Sequence, residues 1–236
     1  MSKRDIFSPF RVAFNGIVHT FRTQRHMRIH LYVTFATLLG AMFFQLRLRE
    51  ILILLFMITF VLVAEMFNSA IEATVDLASP QFHPLAKFAK DIAAGAVLIT
   101  TIMAIVVGSL IALGDGQWER IRVSLSGEGI GLPVAVRIGI GLFLTLVVVV
   151  IGKGLGSRGQ VLQGGLVSGH AAIGFFLAVS VLFISESVLV GAIAVIMATI
   201  IAQSRFEAKF HSVFELTLGA AVGTVLGLVL FGMMPK

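Results

Sequence analysis

The chain has 236 residues, of which 58% are hydrophobic and only 13% are charged, and its mean hydropathy is +1.01. Charged residues make up about a quarter of a typical soluble domain, so this composition excludes a soluble globular protein and predicts an integral membrane protein. The net charge of +6 does not indicate a nucleic-acid partner, because the basic residues flank apolar segments, where they orient a protein in the membrane. The absence of cysteine excludes disulfides and cysteine-ligated metals.

The first elements in the chain are a basic surface segment and a series of apolar spans. Residues 8–28 mix basic and apolar side chains and are predicted to form a helix on the membrane surface. The N-terminus has no compact apolar core followed by a cleavage site, so we do not expect a signal peptide. Seven later stretches approach or exceed the ~20 apolar residues that cross a bilayer. They are residues 30–46, 50–72, 91–113, 132–152, 169–185, 187–203 and 213–233.

A polar stretch separates the third span from the fourth. Residues 115–133, DGQWERIRVSLSGEGIGLP, carry glycines, charges and Pro133, which are typical of a domain boundary. We therefore predict an all-α integral membrane protein with a three-helix bundle in residues 1–114, a linker in 115–131 and a four-helix bundle in 132–236.

The Lys and Arg residues predict how the spans are oriented. If the N-terminus is cytoplasmic, twelve Lys and Arg residues lie on the cytoplasmic side and five on the other side, which is the bias that the positive-inside rule describes. Seven spans then place the linker and the C-terminus outside the cytoplasm. The loss or addition of one span would reverse the orientation of everything that follows it.

A stripe of polar residues ends the second predicted span. Glu65 directly follows the apolar run ILILLFMITFVLVA, and an ionisable group at such depth is a functional candidate by default. Helical spacing puts the stripe on one face over ~16 Å. Its members are Glu65, Asn68, Glu72 and Asp76. Clustered carboxylates repel one another unless a cation or a shared proton lies between them, so we infer a divalent metal, with Mg²⁺ carrying phosphate oxygens as the hard cation that suits these ligands.

The loop after this stripe adds positive charge. Lys87 and Lys90 are predicted to reach the same face, with His83 and Asp91 beside them. Carboxylates for metal and ammonium groups for phosphate suit a nucleoside triphosphate site, although the chain has no GxxxxGK[ST] loop. An ion-coupled transporter would also place carboxylates on a helix face, but it should show broken helices or inverted repeats, which the sequence lacks. A non-catalytic scaffold would not need the stripe.

The first half of the chain resembles the small prokaryotic diacylglycerol kinase and undecaprenol kinase family over residues 8–113. The runs that carry the resemblance are EMFNSAIEATVD (65–76) and HPLAKFAKDIAAGAVLI (83–99), together with NGI (15–17) and RIH (28–30). The resemblance implies three transmembrane helices per subunit, a homotrimer with shared active sites, and Mg-ATP-dependent phosphorylation of a lipid alcohol at the cytoplasmic face of a bacterial inner membrane.

The same resemblance implies roles for individual residues. Glu65 is expected to act as the general base for the lipid hydroxyl, and Glu72 to bind the metal. Gln24 stands where the family usually has a second metal-binding glutamate. Its amide oxygen brings no charge, so Mg²⁺ affinity should fall, and either a neighbouring group compensates or the kinase is weak. The residues expected to contact the nucleotide are Asn68, His83, Lys90 and Asp91.

A second polar constellation follows residue 132. The segments GKGLGSRG (152–159), VSGHAAIGF (167–175) and SRFEAKFHSVFEL (204–216) each begin or end a predicted span at one surface, so they can converge. Ser168 is predicted to cap the helix that His170 begins, which creates an anion site at a positive helix end.

Two histidines and several cations in these segments suit phosphoryl transfer through a phosphohistidine without metal. His211 and Glu215 are spaced i, i+4, so the carboxylate can orient the imidazole from the same helix face. Positive charge comes from Lys153, Arg158 and Arg205. Interfacial His and Arg residues are also common without function, and the convergence of three segments is what favours a site.

SGH (168–170) and SRFEAKFH (204–211) resemble the type 2 phosphatidic acid phosphatase superfamily, whose pattern runs Kx6RP, PSGH and SRx5Hx3D. The resemblance implies that His211 is the nucleophile, that His170 protonates the leaving group, and that no cofactor is needed. The residues expected to act on phosphate are Lys153, Arg158, Ser168, Gly169 and Arg205.

The chain departs from this pattern in four ways. The first motif is shortened and lacks its proline, Val167 replaces the proline before SGH, and Glu215 replaces the aspartate. Four spans are predicted in place of the usual six.

Together these patterns predict a lipid kinase fused to a lipid phosphatase, with both sites on the cytoplasmic face. Identical substrates would then give a futile cycle of ATP hydrolysis, so we expect different lipids or a switch between the sites. Undecaprenol suits this scheme better than diacylglycerol, because polyprenyl carriers pass through alcohol, monophosphate and diphosphate forms. The alternative is that only one of the two domains is active.

Overall fold

The computed structural model describes residues 8–44, 46–114, 132–156 and 166–232. Within these ranges the chain is helical and contains no strand. The predicted linker 115–131 and the residue Arg158 lie outside the described ranges. In chain order the helices are α1 (Ser8–Thr23), α2 (Arg25–Phe43), α3 (Leu48–Ala78), α4 (Pro84–Leu113), α5 (Val134–Leu155), α6 (Gly169–Ser185), α7 (Val188–Glu207) and α8 (Val213–Gly227), followed by a π-helical turn, Leu228–Gly232.

The all-α membrane architecture with several apolar spans is confirmed. Among the described residues, α3, α4, α5, α7 and α8 with its π-helical turn are long and apolar enough to cross a membrane, and α6 is a shorter apolar helix. The first predicted span, residues 30–46, overlaps α2, which is not among the helices that are apolar enough to cross a membrane. Basic residues and histidines such as Arg28 and His30 in its first turns lower its hydropathy.

The helices α3 and α4 form a long antiparallel pair that extends beyond the apolar layer. They have 31 and 30 residues, or roughly 46 Å at ~1.5 Å per residue, whereas the hydrocarbon core of a bilayer is about 30 Å thick. The excess length lies at the α3–α4 turn, where the polar side chains of both helices are concentrated. The extra length allows the charged groups at this turn to lie outside an apolar layer of that thickness.

The two halves of the chain share one hydrophobic core. Leu38 and Met42 of α2 pack with Ile51 of α3, and the same cluster continues through Leu144 of α5 and Phe176 of α6. A second cluster joins α1 to α5. The segments 1–114 and 132–236 therefore pack against each other directly.

Three glycines form a seam between α8 and α6. Gly219, Gly223 and Gly227 recur every four residues, and each faces α6 so closely that a Cβ would meet its atoms within 3 Å. At Gly223 a Cβ would lie 2.1 Å from the carbonyl oxygen of Ala172. Small residues at such spacing allow helix backbones to approach in membrane proteins, and this seam fixes the N-terminal end of α8 against that of α6.

We expect Gly223→Ala to destabilise the protein by about 1–3 kcal/mol, the usual cost of overpacking, because the added methyl group would meet backbone atoms that cannot move aside. The measurement is the midpoint of thermal unfolding in detergent. Gly139→Ala in α5 is the matched control, since a Cβ there meets no atom within 4 Å. Equal midpoints for the two variants would contradict the proposed seam.

Candidate active sites

The predicted acidic stripe lies on α3, and its first two members in the chain are buried. Glu65 is 2% exposed and Asn68 is 8% exposed. The amide Nδ2 of Asn68 donates a hydrogen bond of 3.0 Å to Oε1 of Glu72. Oδ1 of Asn68 is buried and has no hydrogen-bond partner in the described part of the chain. This oxygen, next to the Glu72 carboxylate, is the feature of the stripe that most favours a ligand, because burying a polar atom without a hydrogen bond costs free energy.

The start of α2 lies next to Glu65. His26 is close enough to Glu65 for the two side chains to interact electrostatically, and the sequence patterns did not single out His26. Gln24 precedes it by two residues at the N-cap position of α2, where its side chain makes no capping hydrogen bond. The described residues contain no group of three or more His, Cys, Asp or Glu side chains able to hold a metal by themselves.

A cavity of about 380 Å³ lies at the α3–α4 turn and gathers the predicted nucleotide contacts. Asp76, His83, Lys87 and Lys90 line it, and Lys90 forms an ion pair with Asp76. Nδ1 of His83 accepts a hydrogen bond of 3.2 Å from the backbone N–H of Leu85, which caps α4. Asp91, also expected at the nucleotide, is exposed and does not line this cavity.

A larger cavity, of about 460 Å³, lies between α2, α3 and α4. Its walls are mostly aliphatic, and Val61 places it one helical turn from Glu65. His30 and Thr34 of α2 line the same space, and Oγ1 of Thr101 is buried without a hydrogen-bond partner. The cavity is therefore an apolar space that approaches the buried carboxylate.

The second polar constellation also converges. Lys153 from the end of α5, Gly169 and His170 from the start of α6, and His211 before α8 line one cavity of about 170 Å³. Phe14 of α1 completes the wall, a contribution that no motif in the sequence indicates. Residues from both halves of the chain thus surround this cavity.

His211 and Glu215 interact as predicted, but they do not both lie on one helix. His211 lies in a bend before α8 and not on the helix, since Ser212 is the N-cap residue. Its Nδ1 lies 2.7 Å from Oε2 of Glu215. An acceptor carboxylate at Nδ1 favours a proton there, which leaves Nε2 with a lone pair. His211 is 7% exposed, so this pair is held in a fixed, protein-lined position.

Ser168 occupies the N-cap position of α6, but its side chain does not cap the helix as predicted. Its hydroxyl is fully buried and has no hydrogen-bond partner among the described residues. Its backbone N–H donates a 3.0 Å hydrogen bond to the carbonyl oxygen of Glu215, which joins the two motifs.

Arg205 lies in the last turn of α7, and its buried Nε has no hydrogen-bond partner within the described ranges. It interacts electrostatically with His170, as do His211 and Lys153. Lys153 is 4% exposed. These groups concentrate positive charge around His170, which is the environment that an anionic ligand requires.

Both constellations lie at the same end of the bundle. Arg22, at the end of α1, contacts the backbone at Lys153, while His26, at the start of α2, lies beside Glu65. Since only a few residues separate Arg22 from His26, the two sites are neighbours across the junction of α1 and α2.

Comparisons with known proteins concern the first half of the chain. Residues 11–112 match the family described as prokaryotic diacylglycerol kinase. A diacylglycerol kinase of Synechocystis sp. is 40% identical over 105 residues, which are 44% of this chain and 60% of that protein. An undecaprenol kinase of Bacillus subtilis is 39% identical over 107 residues, or 45% of this chain and 87% of that protein. No solved structure matches the chain.

Proposed function

Because the chain belongs to the prokaryotic diacylglycerol kinase family, we propose that its first half is a lipid kinase that transfers a phosphoryl group from ATP to the hydroxyl of a lipid alcohol. The observation that carries the proposal is the buried Glu65 beside an apolar cavity on one side and the Asn68–Glu72 pair on the other. A lipid tail in the cavity would bring its hydroxyl to the carboxylate. Diacylglycerol and undecaprenol are the alcohols that the names of the relatives give.

Glu65 is the group that receives the proton in this proposal. A general base must lie within hydrogen-bond reach of the proton it removes. Glu65 lies one helical turn beyond Val61 of the cavity wall, so the proposal requires the lipid hydroxyl to extend past this wall to the carboxylate. Burial excludes bulk water from the carboxylate. His26 faces the same carboxylate and, when charged, would stabilise its ionised form.

The Asn68–Glu72 pair fits the Mg²⁺ that the family implies. Mg²⁺ prefers carboxylate and carbonyl oxygens and usually keeps several further oxygens from water or phosphate, so one carboxylate and the unpaired Oδ1 of Asn68 are a suitable protein share. When bound with ATP, the ion would neutralise charge on the phosphates. Gln24 would add a neutral oxygen.

The cavity at the α3–α4 turn is proposed to bind the nucleotide. Lys87 and Lys90 place ammonium groups in it, and Asp76 holds Lys90 in position. His83 fixes the first turn of α4 by its cap and thereby sets where both lysines project.

We propose that the subunits associate as a homotrimer in a bacterial inner membrane, with this end of the bundle facing the cytoplasm. Along the most apolar stretch of α4 no residue is buried in the single chain. A helix uncovered in this way is free to pack against a second copy or lipid.

We expect Glu65→Gln to lower the rate of lipid phosphorylation by about 10²-fold or more, the contribution typical of a general base, while ATP affinity changes little. The measurement is label transfer from [γ-³²P]ATP to diacylglycerol or undecaprenol in detergent micelles. Glu50→Gln, at the opposite end of the same helix, is the matched control and should keep nearly full activity. Undiminished transfer by Glu65→Gln would exclude Glu65 as the base.

We expect Gln24→Glu to lower the Mg²⁺ concentration that gives half-maximal kinase activity, because a charged ligand would replace the neutral one proposed at residue 24. The glutamate would also suit the positive N-terminal end of α2. Titration of Mg²⁺ at saturating ATP measures this shift, with Gln24→Met as the comparison that removes the oxygen. An unchanged midpoint in both variants would show that residue 24 does not contact the metal.

A second activity is proposed for the C-terminal half because Lys153, His170 and His211 line one cavity. The reaction is the hydrolysis of a lipid phosphate or diphosphate. Nε2 of His211 attacks phosphorus and forms an N–P bond, while the bond from phosphorus to the lipid oxygen breaks. The proton of His170 passes to that oxygen. Water, which gives a proton to His170, then attacks phosphorus, breaks the N–P bond and releases phosphate.

Polar residues in and next to this cavity are proposed to hold the phosphate. The buried hydroxyl of Ser168 and Nε of Arg205, neither of which has a hydrogen-bond partner among the described residues, are donors that phosphate oxygens would satisfy. Lys153 adds a buried positive charge from α5. Glu215 keeps His211 in the reactive tautomer and stabilises the charge that develops on its ring.

We expect His211→Ala to abolish phosphate release from a lipid monophosphate, and Glu215→Gln to reduce it by about 10²–10⁴-fold, since the amide no longer favours the reactive tautomer. Kinase activity of the same preparations should persist. His19→Ala, an exposed histidine of α1, serves as the control. Phosphate release that survives in His211→Ala would remove His211 as the nucleophile.

A further inference from the structure

The helix α1 belongs to the kinase family segment by sequence, yet it packs against α5 of the other half. Val18 and Phe21, both buried, join Val147 and Val150 in one apolar cluster. Phe14, one turn earlier, lines the cavity that contains His170 and His211. This helix is therefore part of the wall of the C-terminal site.

Arg22 contacts the backbone that carries Lys153. Its Nη2 donates hydrogen bonds of 2.6 Å to the carbonyl oxygen of Lys153 and 3.1 Å to that of Gly156. These carbonyls lie at the C-terminal end of α5, where the helix cannot satisfy them itself. A guanidinium also suits the negative end of the helix dipole, so Arg22 acts as a cap supplied from 131 residues away in the chain.

Phe21 fixes the same turn by shape. A Cβ on Gly154 would lie 1.9 Å from Cδ1 of Phe21, so the ring occupies the space that a side chain at 154 would need. Arg22 holds the carbonyl of Lys153, and Phe21 covers the residue after it. The backbone of Lys153 is thus fixed from outside its own helix, by α1.

We propose that α1 is a structural part of the C-terminal phosphate site and that Arg22 is a positioning residue, which holds the last turn of α5 so that Lys153 projects into the cavity. This inference rests on the phosphatase function proposed above. Helix ends fray when their carbonyls lack partners, and a frayed turn would withdraw Lys153 from the phosphate. The His211–Glu215 pair does not depend on that turn, so binding should weaken more than the chemical step.

The test uses the full chain in detergent, with hydrolysis of a lipid monophosphate and binding of orthovanadate, a phosphate analogue, as separate readouts. Arg22→Ala is expected to raise KM and the orthovanadate dissociation constant by about tenfold or more, the effect of a lost charge-assisted hydrogen bond, with kcat within about threefold of the native value. Arg22→Lys should be intermediate, because an ammonium can donate to one of the carbonyls. Arg25→Ala, an exposed arginine of α2, is the charge-matched control.

A second variant tests the same turn without a change of charge. Gly154→Ala should displace Phe21 and reproduce the rise in KM, and both variants are checked for folding by thermal unfolding. If Arg22→Ala does not fold, Arg22→Lys and Gly154→Ala decide the question.

The outcomes separate this proposal from the one on which it rests. Native KM and orthovanadate affinity in folded Arg22 and Gly154 variants of an active phosphatase would overturn the role of α1 and leave the phosphatase in place. A fall in kcat at constant KM would equally exclude a positioning role. If the native protein neither hydrolyses lipid phosphates nor binds orthovanadate, the phosphatase function fails and this inference fails with it.

Discussion

Charged groups cannot remain in hydrocarbon without a partner, and this constraint decides where chemistry occurs in the bundle. The apolar part of α3 ends at Glu65. The helix α3 continues for several turns after this residue, and α4 begins at the same polar end of the pair. In the other half, α5 ends near Lys153 and α8 begins after His211, at the same end of the bundle. The membrane-spanning segments are apolar, whereas the polar residues lie at the end of the bundle where a lipid headgroup would be.

Much of this arrangement could be predicted from the sequence, because helical periodicity and local spacing encode it. The stripe from Glu65 to Asp76 lies on one helix, and the three motifs of the second half do converge on one cavity. The pairing of His211 with Glu215 was predicted as well. The prediction that both residues lie on one helix was wrong. Two residues spaced i, i+4 can also meet where a bend precedes the N-cap residue, as it does before Ser212.

The remaining features depend on contacts between distant segments, which periodicity does not report. The sequence predicts that Arg22 and Phe14 belong to an amphipathic surface helix. Only the packing of α1 on α5 brings them to the second site. The unpaired hydroxyl of Ser168 also depends on contacts between distant segments. The sequence predicts that this side chain caps α6. In the structure α8 packs closely against α6 along the glycine seam, the backbone N–H of Ser168 bonds to Glu215, and the side chain has no partner among the described residues.

The position of α1 also bears on why two opposing activities would share a chain. Arg22, in the last turn of α1, contacts the backbone at Lys153, and Gln24 follows two residues later at the start of α2, whose His26 lies beside Glu65. A shift of α1 that loosened Lys153 would therefore also move Gln24 and His26 relative to Glu65. The common core between the halves resists such a shift. If both sites are active and both depend on the position of α1, a ligand in one site will change the affinity of the other site, and the second ligand will change the affinity of the first site by the same factor. Such coupling would give the chain a physical means of limiting a futile cycle.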